Sequence, residues 1–294
     1  MNILLTGGTG FIGQHVVEAL HHENIHTYIL TRFPENYVDT ERASYISYDI
    51  SQEKLPPIHG VINLAGESLF GYWTRHKKKE ILNSRMKTTR DVLQIIKRLD
   101  RRPDVFISGS AIGFYGMSED TIFTENTETP GDDYLARVAV QWEKAASAVE
   151  SLGIRTVYAR FGIVLGKKGA LPLMSLPVKC FLGGKVGTGE QWMSWVHIDD
   201  VVNIILYCIF NQNMKGPINV VAPHPKRNKD FTNLLANVLQ RPAWLTAPSP
   251  LVYLLTGEMS QLVLKGQYVL PKKMTDSQFA FSYPYLEDAL KSLF

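Results

Sequence analysis

Apolar positions in the first half of the chain fall into short continuous runs separated by stretches of helical period. Asn2–Thr6 is one such run. After it, Ile12, Val16, Val17 and Leu20 share one face of a helix predicted over Phe11–His22. Further strands are predicted over Ile25–Thr31, Ser44–Asp49, Gly60–Ala65, Asp104–Gly109 and Arg155–Gly162. Gly60–Ala65 is apolar almost throughout, as expected of a strand buried on both faces. Between the strands, Ile81, Leu82, Met86, Val92, Leu93 and Ile96 mark a helix over Arg75–Leu99. Leu135, Val138, Ala139, Trp142, Ala146 and Val149 mark another, capped by Asp132 or Asp133 and running to Leu152. Alternation of strands and helices predicts an α/β fold with a doubly wound parallel sheet.

The second half is less regular. Gly166–Trp195 is rich in Gly and Pro and reads as a lid or substrate loop. Val196–Asp200 opens a helix with an aspartate as N-cap. His197 beside it reads as a histidine that fixes a loop rather than a catalytic one. A late strand, Gly216–Val221, precedes helices over Lys229–Leu239, Leu251–Leu264 and Tyr285–Phe294. The expected organisation is a Rossmann domain over 1–165, completed by about 196–222, with a smaller C-terminal α/β substrate subdomain from 166–195 and 223–294.

Composition narrows the function classes. The 294 residues are 45% apolar and 20% charged, with a net charge of +3. That balance is ordinary for a globular protein and too weakly basic to expect nucleic acid as a partner. His76–Lys79 is the densest basic run and reads as a solvated helix face. No apolar run reaches the ~18–20 residues that span a bilayer, so no membrane partner is expected. No secretory leader is expected either, and Cys180 and Cys208 read as buried, reduced thiols without metal-ligand spacing. A cytoplasmic protein, monomeric or homodimeric and without metal, is the expectation.

The candidate chemistry lies in Thr6–Gly13, where Gly7, Gly10 and Gly13 join the first strand to Phe11 and Ile12 at the start of the first helix. Gly7 permits a sharp turn, Gly10 lets backbone approach a pyrophosphate, and Gly13 lets the helix pack close to the sheet. Free N–H groups and the helix dipole then meet phosphate charge. At the end of the second strand, where NAD-preferring proteins carry an acid, stand Thr31 and Arg32. A guanidinium there can pair with a 2′-phosphate, which favours NADP(H) over NAD(H); the alternative is an exposed surface arginine. Asp49–Ile50 is placed to reach an adenine edge. Asn63–Gly66 leaves room for the ribose and pyrophosphate. Glu80 and Arg85 project near the mouth of the sheet, or form a surface ion pair.

With these residues in place, the chain resembles the extended short-chain dehydrogenase/reductases, the class of the nucleotide-sugar epimerases and dehydratases. Within that class it is similar to the "epimerase family protein" group, the group of the human SDR family 39U. Asn63–Glu67, Ser84-Arg85, Trp142-Glu143, Trp195–Asp200, Pro223–Pro225, Arg241-Pro242 and Gly257-Glu258 carry the resemblance. It implies an NADP(H)-binding fold with cofactor contacts near Thr31, Arg32, Leu64, Ala65, Glu80, Arg85 and Arg160. It implies no particular substrate.

Active members of that superfamily pair a serine near the end of the fifth strand with Tyr-x-x-x-Lys on the next helix, where the lysine lowers the phenol's pKa. Here Ser108 or Ser110 is available, and Ser110 is the better placed; Tyr134 opens the right helix, but Val138 stands where the lysine belongs. An unassisted tyrosine, with a pKa of about 10, is only ~0.1% ionised at pH 7. Two classes of function follow. One is an NADP-dependent oxidoreductase or epimerase acting on a small carbonyl or nucleotide-sugar-like substrate with a non-standard acid/base set. The other is an NADP(H)-binding sensor or regulator.

Overall fold

A computed structural model describes residues 1–51, 53 and 55–294. β1 (Asn2–Thr6), α1 (Phe11–His22), β2 (His26–Leu30), β3 (Ala43–Ile46), β4 (Gly60–Asn63), α2 (Arg75–Arg98), β5 (Val105–Ala111) and α3 (Tyr134–Ser147) follow in chain order. Strands Arg155–Phe161 and Gly216–Val220 complete a seven-stranded sheet. Its order is Gly216–Val220, Arg155–Phe161, β5, β4, β1, β2, β3, and every pairing is parallel. The order reverses beside β1, so a crevice opens between the carboxyl ends of β1 and β4, where ligands of such sheets bind.

Two apolar layers hold the sheet. On one side α1 and the helix Ile198–Phe210 bury Val16, Leu20, Val201 and Ile205 against Ile3, Leu5 and Ile107. On the other, Val92 and Ile96 of α2 and Ala146 of α3 cover Leu4, Val61 and Phe106. A third core joins Leu171, Val178, Trp195, Phe231, Leu235, Leu286 and Leu290 in the C-terminal part. Among the described residues, no helix is long and apolar enough to cross a membrane.

Several boundaries differ from the sequence expectation. The predicted loop over 166–195 contains a helix, Ala170–Lys179, and a strand, Gly183–Val186, paired with Ala243–Ala247. Pro172 lies in the helix's first turn, where no N–H is needed. Pro177 forfeits one bond near the end, while buried Leu171, Ser175 and Val178 anchor the element. β3 stops at Ile46 instead of Asp49, because the Ser47 hydroxyl donates to the Asp49 carboxylate and the chain turns locally. α3 ends at Ser147, followed by a 3-10 turn over Glu150–Leu152, and the predicted helix 251–264 breaks at Gly257 (φ +59°). Cys208 is buried as expected, but Cys180 is exposed, because it follows the last turn of helix Ala170–Lys179 on its outer side.

Candidate functional site

The turn after β1 is shaped by glycines for steric reasons. Gly7 has φ +72°, and a Cβ on it would lie 2.8 Å from the Ala65 nitrogen and 2.9 Å from the Leu64 carbonyl carbon. A Cβ on Gly13 would meet the Gly7 oxygen at 2.0 Å, so α1 can lie this close to the turn only without a side chain there. Gly10 donates to the Gly7 oxygen (2.9 Å) and is the N-cap of α1, with no side chain to satisfy the first N–H groups. Those donors point out of the helix end. The ring of Phe11 is held under Gly166 and Gly169, where Cβ atoms would approach it to 2.5 and 3.0 Å. Ile12 packs on the core beneath.

Side chains lock the strand ends across this turn. The Thr6 hydroxyl donates to Asn63 Oδ1 (2.8 Å) and accepts from the Ala65 N–H (3.1 Å). Asn63 Nδ2 donates to the Thr89 hydroxyl of α2 (2.9 Å). Next to Ala65, a Cβ on Gly66 would lie 3.0 Å from the Arg85 guanidinium carbon. Arg85 Nη1 donates to the Ile81 carbonyl (2.8 Å) and the Glu67 carbonyl (3.0 Å), and its guanidinium lies 5.0 Å from the Trp142 ring centre. The edge of the same ring lies against Gly109, where a Cβ would be 2.7 Å from Trp142 Cη2. Gly66, Arg85, Trp142 and Gly109 thus form one stack from β4 to β5. Burial pulls the Arg85 pKa down to about 10, which leaves it cationic at neutral pH.

Ser110 lies beyond this stack. Its hydroxyl donates to Glu143 Oε1 (2.6 Å), and Arg160 grips the same carboxylate through Nε and Nη2, both at 2.8 Å. Arg160 is 4% exposed and covered by the Phe114 ring at 3.5 Å. Burial disfavours its charge, but the bonds and charge of Glu143 outweigh that and the pKa rises. Ser110, Arg160 and Asn219 face one another across three strands, and the Tyr115 hydroxyl donates to Asn219 Oδ1 (2.7 Å).

Tyr134 is engaged elsewhere. Its hydroxyl donates to the Lys78 carbonyl of α2 (2.8 Å), and its ring meets Trp73 edge-on at 5.4 Å. Burial raises its pKa, with Arg85 acting against that rise. Val138 is buried with Trp73 and Ile81, so the position of the missing lysine is an apolar contact.

The structure therefore brings Gly7, Gly10, Gly13, Leu64, Ala65 and Arg85 to one crevice. Thr31, bonded through its N–H to the Ile46 carbonyl (2.9 Å), and exposed Arg32 stand at the end of β2. Glu80 lies on the outer side of α2 with His76 (3.3 Å), and Arg85 turns inward, so the two form no surface pair. Ser110 and Tyr134 bond to different partners. His197, not an aspartate, caps helix Ile198–Phe210: its Nδ1 accepts from the Asp199 N–H (3.1 Å), and Asp199 and Asp200 already lie inside the first turn. Glu143 received no role from sequence. Its signal is position, since it stands four residues after inward-facing Ala139 and beside Trp142, at the margin of the apolar stripe.

Comparison with known proteins fits this geometry. The model of the NAD dependent epimerase/dehydratase family matches residues 3–222. The chain belongs to that family. A second model, a domain of unknown function (DUF1731), matches residues 247–293. Epimerase family protein YfhF of Bacillus subtilis is 46% identical over 299 residues, covering 100% of this chain and 98% of that one. Among solved structures, human epimerase family protein SDR39U1, determined with NADPH, superposes with a TM-score of 0.89 at 29% identity, over 100% of this chain and 99% of that one. A nucleoside-diphosphate sugar epimerase from Corynebacterium glutamicum gives a TM-score of 0.80 at 27% identity, over 100% of this chain and 58% of that one. The seven-stranded sheet and its glycine turn are thus those of an epimerase-family NAD(P)-binding fold.

Proposed function

We propose that this epimerase-family protein binds NADP(H) and acts as an oxidoreductase or epimerase on a small carbonyl or nucleotide-sugar-like substrate, with a non-standard acid/base set. The observation that carries the reading is the cradle at the start of α1. Cβ atoms on Gly7 and Gly13 would collide with backbone at 2.8 and 2.0 Å, and the helix N-cap has no side chain of its own to bond the free N–H groups. A pyrophosphate is the group those donors suit. The human relative solved with NADPH supports the same reading.

Leu64, Ala65 and Gly66 would border the ribose, and Arg32 would take the 2′-phosphate. The dinucleotide supplies hydride-transfer chemistry when bound. Toward a substrate, Tyr134 is not a free base, since burial raises its pKa, and its single O–H would have to leave the Lys78 carbonyl to donate to a substrate carbonyl. Ser110 donates to Glu143 and can accept from a substrate hydroxyl with one of its two lone pairs. Arg160 would then act from beneath, by holding Glu143.

The test is calorimetric titration with NADPH and NADH. The wild type should prefer NADPH, and Arg32→Asp should reverse the preference, with the loss of a charge-assisted bond worth about 1.5–3 kcal/mol, or roughly 10- to 100-fold in affinity. Equal affinities in the wild type would remove the assignment of Arg32. A second reading, a cofactor sensor without turnover, is favoured by the burial of Val138 and by the bond of Tyr134 to a backbone carbonyl. It predicts NADPH binding without turnover over a broad panel of carbonyls and nucleotide sugars, and turnover of any of them excludes it.

A further inference from the structure

We infer that Arg85 of α2 supplies the cation that the Tyr-x-x-x-Lys arrangement would have placed at Val138, and so acts as a positioning residue for Tyr134. The inference rests on the reading above that Tyr134 is the phenol that meets the substrate. Three observations carry it. First, α3 cannot provide the charge itself, because Val138 is packed into an apolar cluster with Trp73 and Ile81. Second, α2 holds both partners: Tyr134 bonds the Lys78 carbonyl and Arg85 bonds the Ile81 carbonyl, each at 2.8 Å. Carbonyls three residues apart on a helix are separated by a rise of ~4.5 Å, so the phenol and the guanidinium are anchored to neighbouring points on one stretch of α2. Third, Arg85 is fixed there. Trp142 covers one side of its guanidinium at 5.0 Å, Gly66 leaves space for it, and Nη1 is anchored to two carbonyls.

The other charges around Tyr134 are accounted for. Lys78 Nζ lies 5.6 Å from the ring centre but is bonded to Glu258 at 2.6 Å, which offsets its charge. Glu67, the acid beside Arg85, is paired with Lys77 at 2.5 Å. Arg85 is therefore the cation whose charge reaches the phenol with least compensation, and it opposes the rise that burial imposes on Tyr134. A neighbouring opposite charge favours an ionised phenol.

The experiment is 19F NMR of protein labelled with fluorotyrosine, whose phenol ionises at lower pH than tyrosine. Tyr134→Phe identifies the signal among the 13 tyrosines. Arg85→Met should raise the Tyr134 midpoint by ~1–3 units, Arg85→Lys should restore most of it, and Lys78→Met should move it by less than about half a unit. Circular dichroism confirms that each variant is folded, and Arg85→Gln replaces Arg85→Met if the latter fails. An unmoved midpoint in folded Arg85→Met or Arg85→Gln overturns the inference, as does a larger shift in Lys78→Met. NADPH fluorescence on the same samples judges the functional reading separately: a wild type that does not bind the cofactor defeats that reading, while the titration still decides the pair.

Discussion

At the scale of single residues, the crevice depends on side chains that are absent. Gly13 shows how sharply, since a Cβ there would overlap the Gly7 oxygen at 2.0 Å and backbone would have to move. Gly13→Ala should therefore push α1 off the β1 turn. We expect a stability loss of about 1–3 kcal/mol in urea unfolding, together with loss of NADPH binding. Gly109 and Gly66 make room for side chains instead, Trp142 at 2.7 Å and Arg85 at 3.0 Å from where a Cβ would lie. The glycines at 7, 10 and 13 were legible in sequence because their spacing is local. Gly66 was read only as room for the ribose and pyrophosphate, and Gly109 had no reading; that they make room for Arg85 and Trp142 was not legible, because those side chains come from later helices. Glu143 was missed for the same reason: its partners Ser110 and Arg160 belong to two different strands.

At the scale of elements, periodicity placed the strands and helices of the sheet, with α1 at its predicted limits and α2 one residue shorter. Gly/Pro content misled over 166–195, where a helix persists because Leu171 and Val178 gain burial that local propensity does not register. The site also needs neighbouring strand ends to be in register, and Thr6 provides this by bonding both Asn63 and the Ala65 N–H. Thr6→Val keeps the shape but leaves a buried amide oxygen and a backbone N–H unpaired. Equilibrium unfolding should show a loss on the order of 1–3 kcal/mol, larger than for Thr88→Val on the half-buried side of α2.

At the scale of the whole molecule, the stretch Trp195–Asp200 fastens the C-terminal segment to the sheet. Asp200 accepts from the backbone N–H groups of Ser282 and Tyr283 (2.7 and 2.9 Å), and the His197 ring lies tilted against Tyr283 with ring centres 3.9 Å apart. Because His197 Nδ1 accepts from Asp199, the neutral ring carries its proton on Nε2, toward the Ser292 hydroxyl (3.1 Å). Burial lowers its pKa, and nearby Asp199 only partly opposes this. The unfolded chain takes up a proton near pH 6.5 that the folded ring resists, so stability is full above that pH and declines as pH falls from about 6.5 toward the lowered value. Hydrogen exchange of residues 282–293 should accelerate over that interval. His197→Gln should flatten the pH dependence, and an unchanged slope would show that another group causes it.

The sequence by itself determined the alternation of strands and helices, the glycine turn after β1 and the absence of a helix-borne lysine. Each of these is written in spacings of a few residues, where backbone geometry and side-chain period act. The tertiary structure alone decided the Ser110–Glu143–Arg160 network, the inward turn of Arg85, the contact of His197 with Ser292 and the exposure of Cys180. These depend on which elements become neighbours once the apolar faces are buried, and residues 17 to 95 positions apart can hydrogen-bond only after that packing is complete.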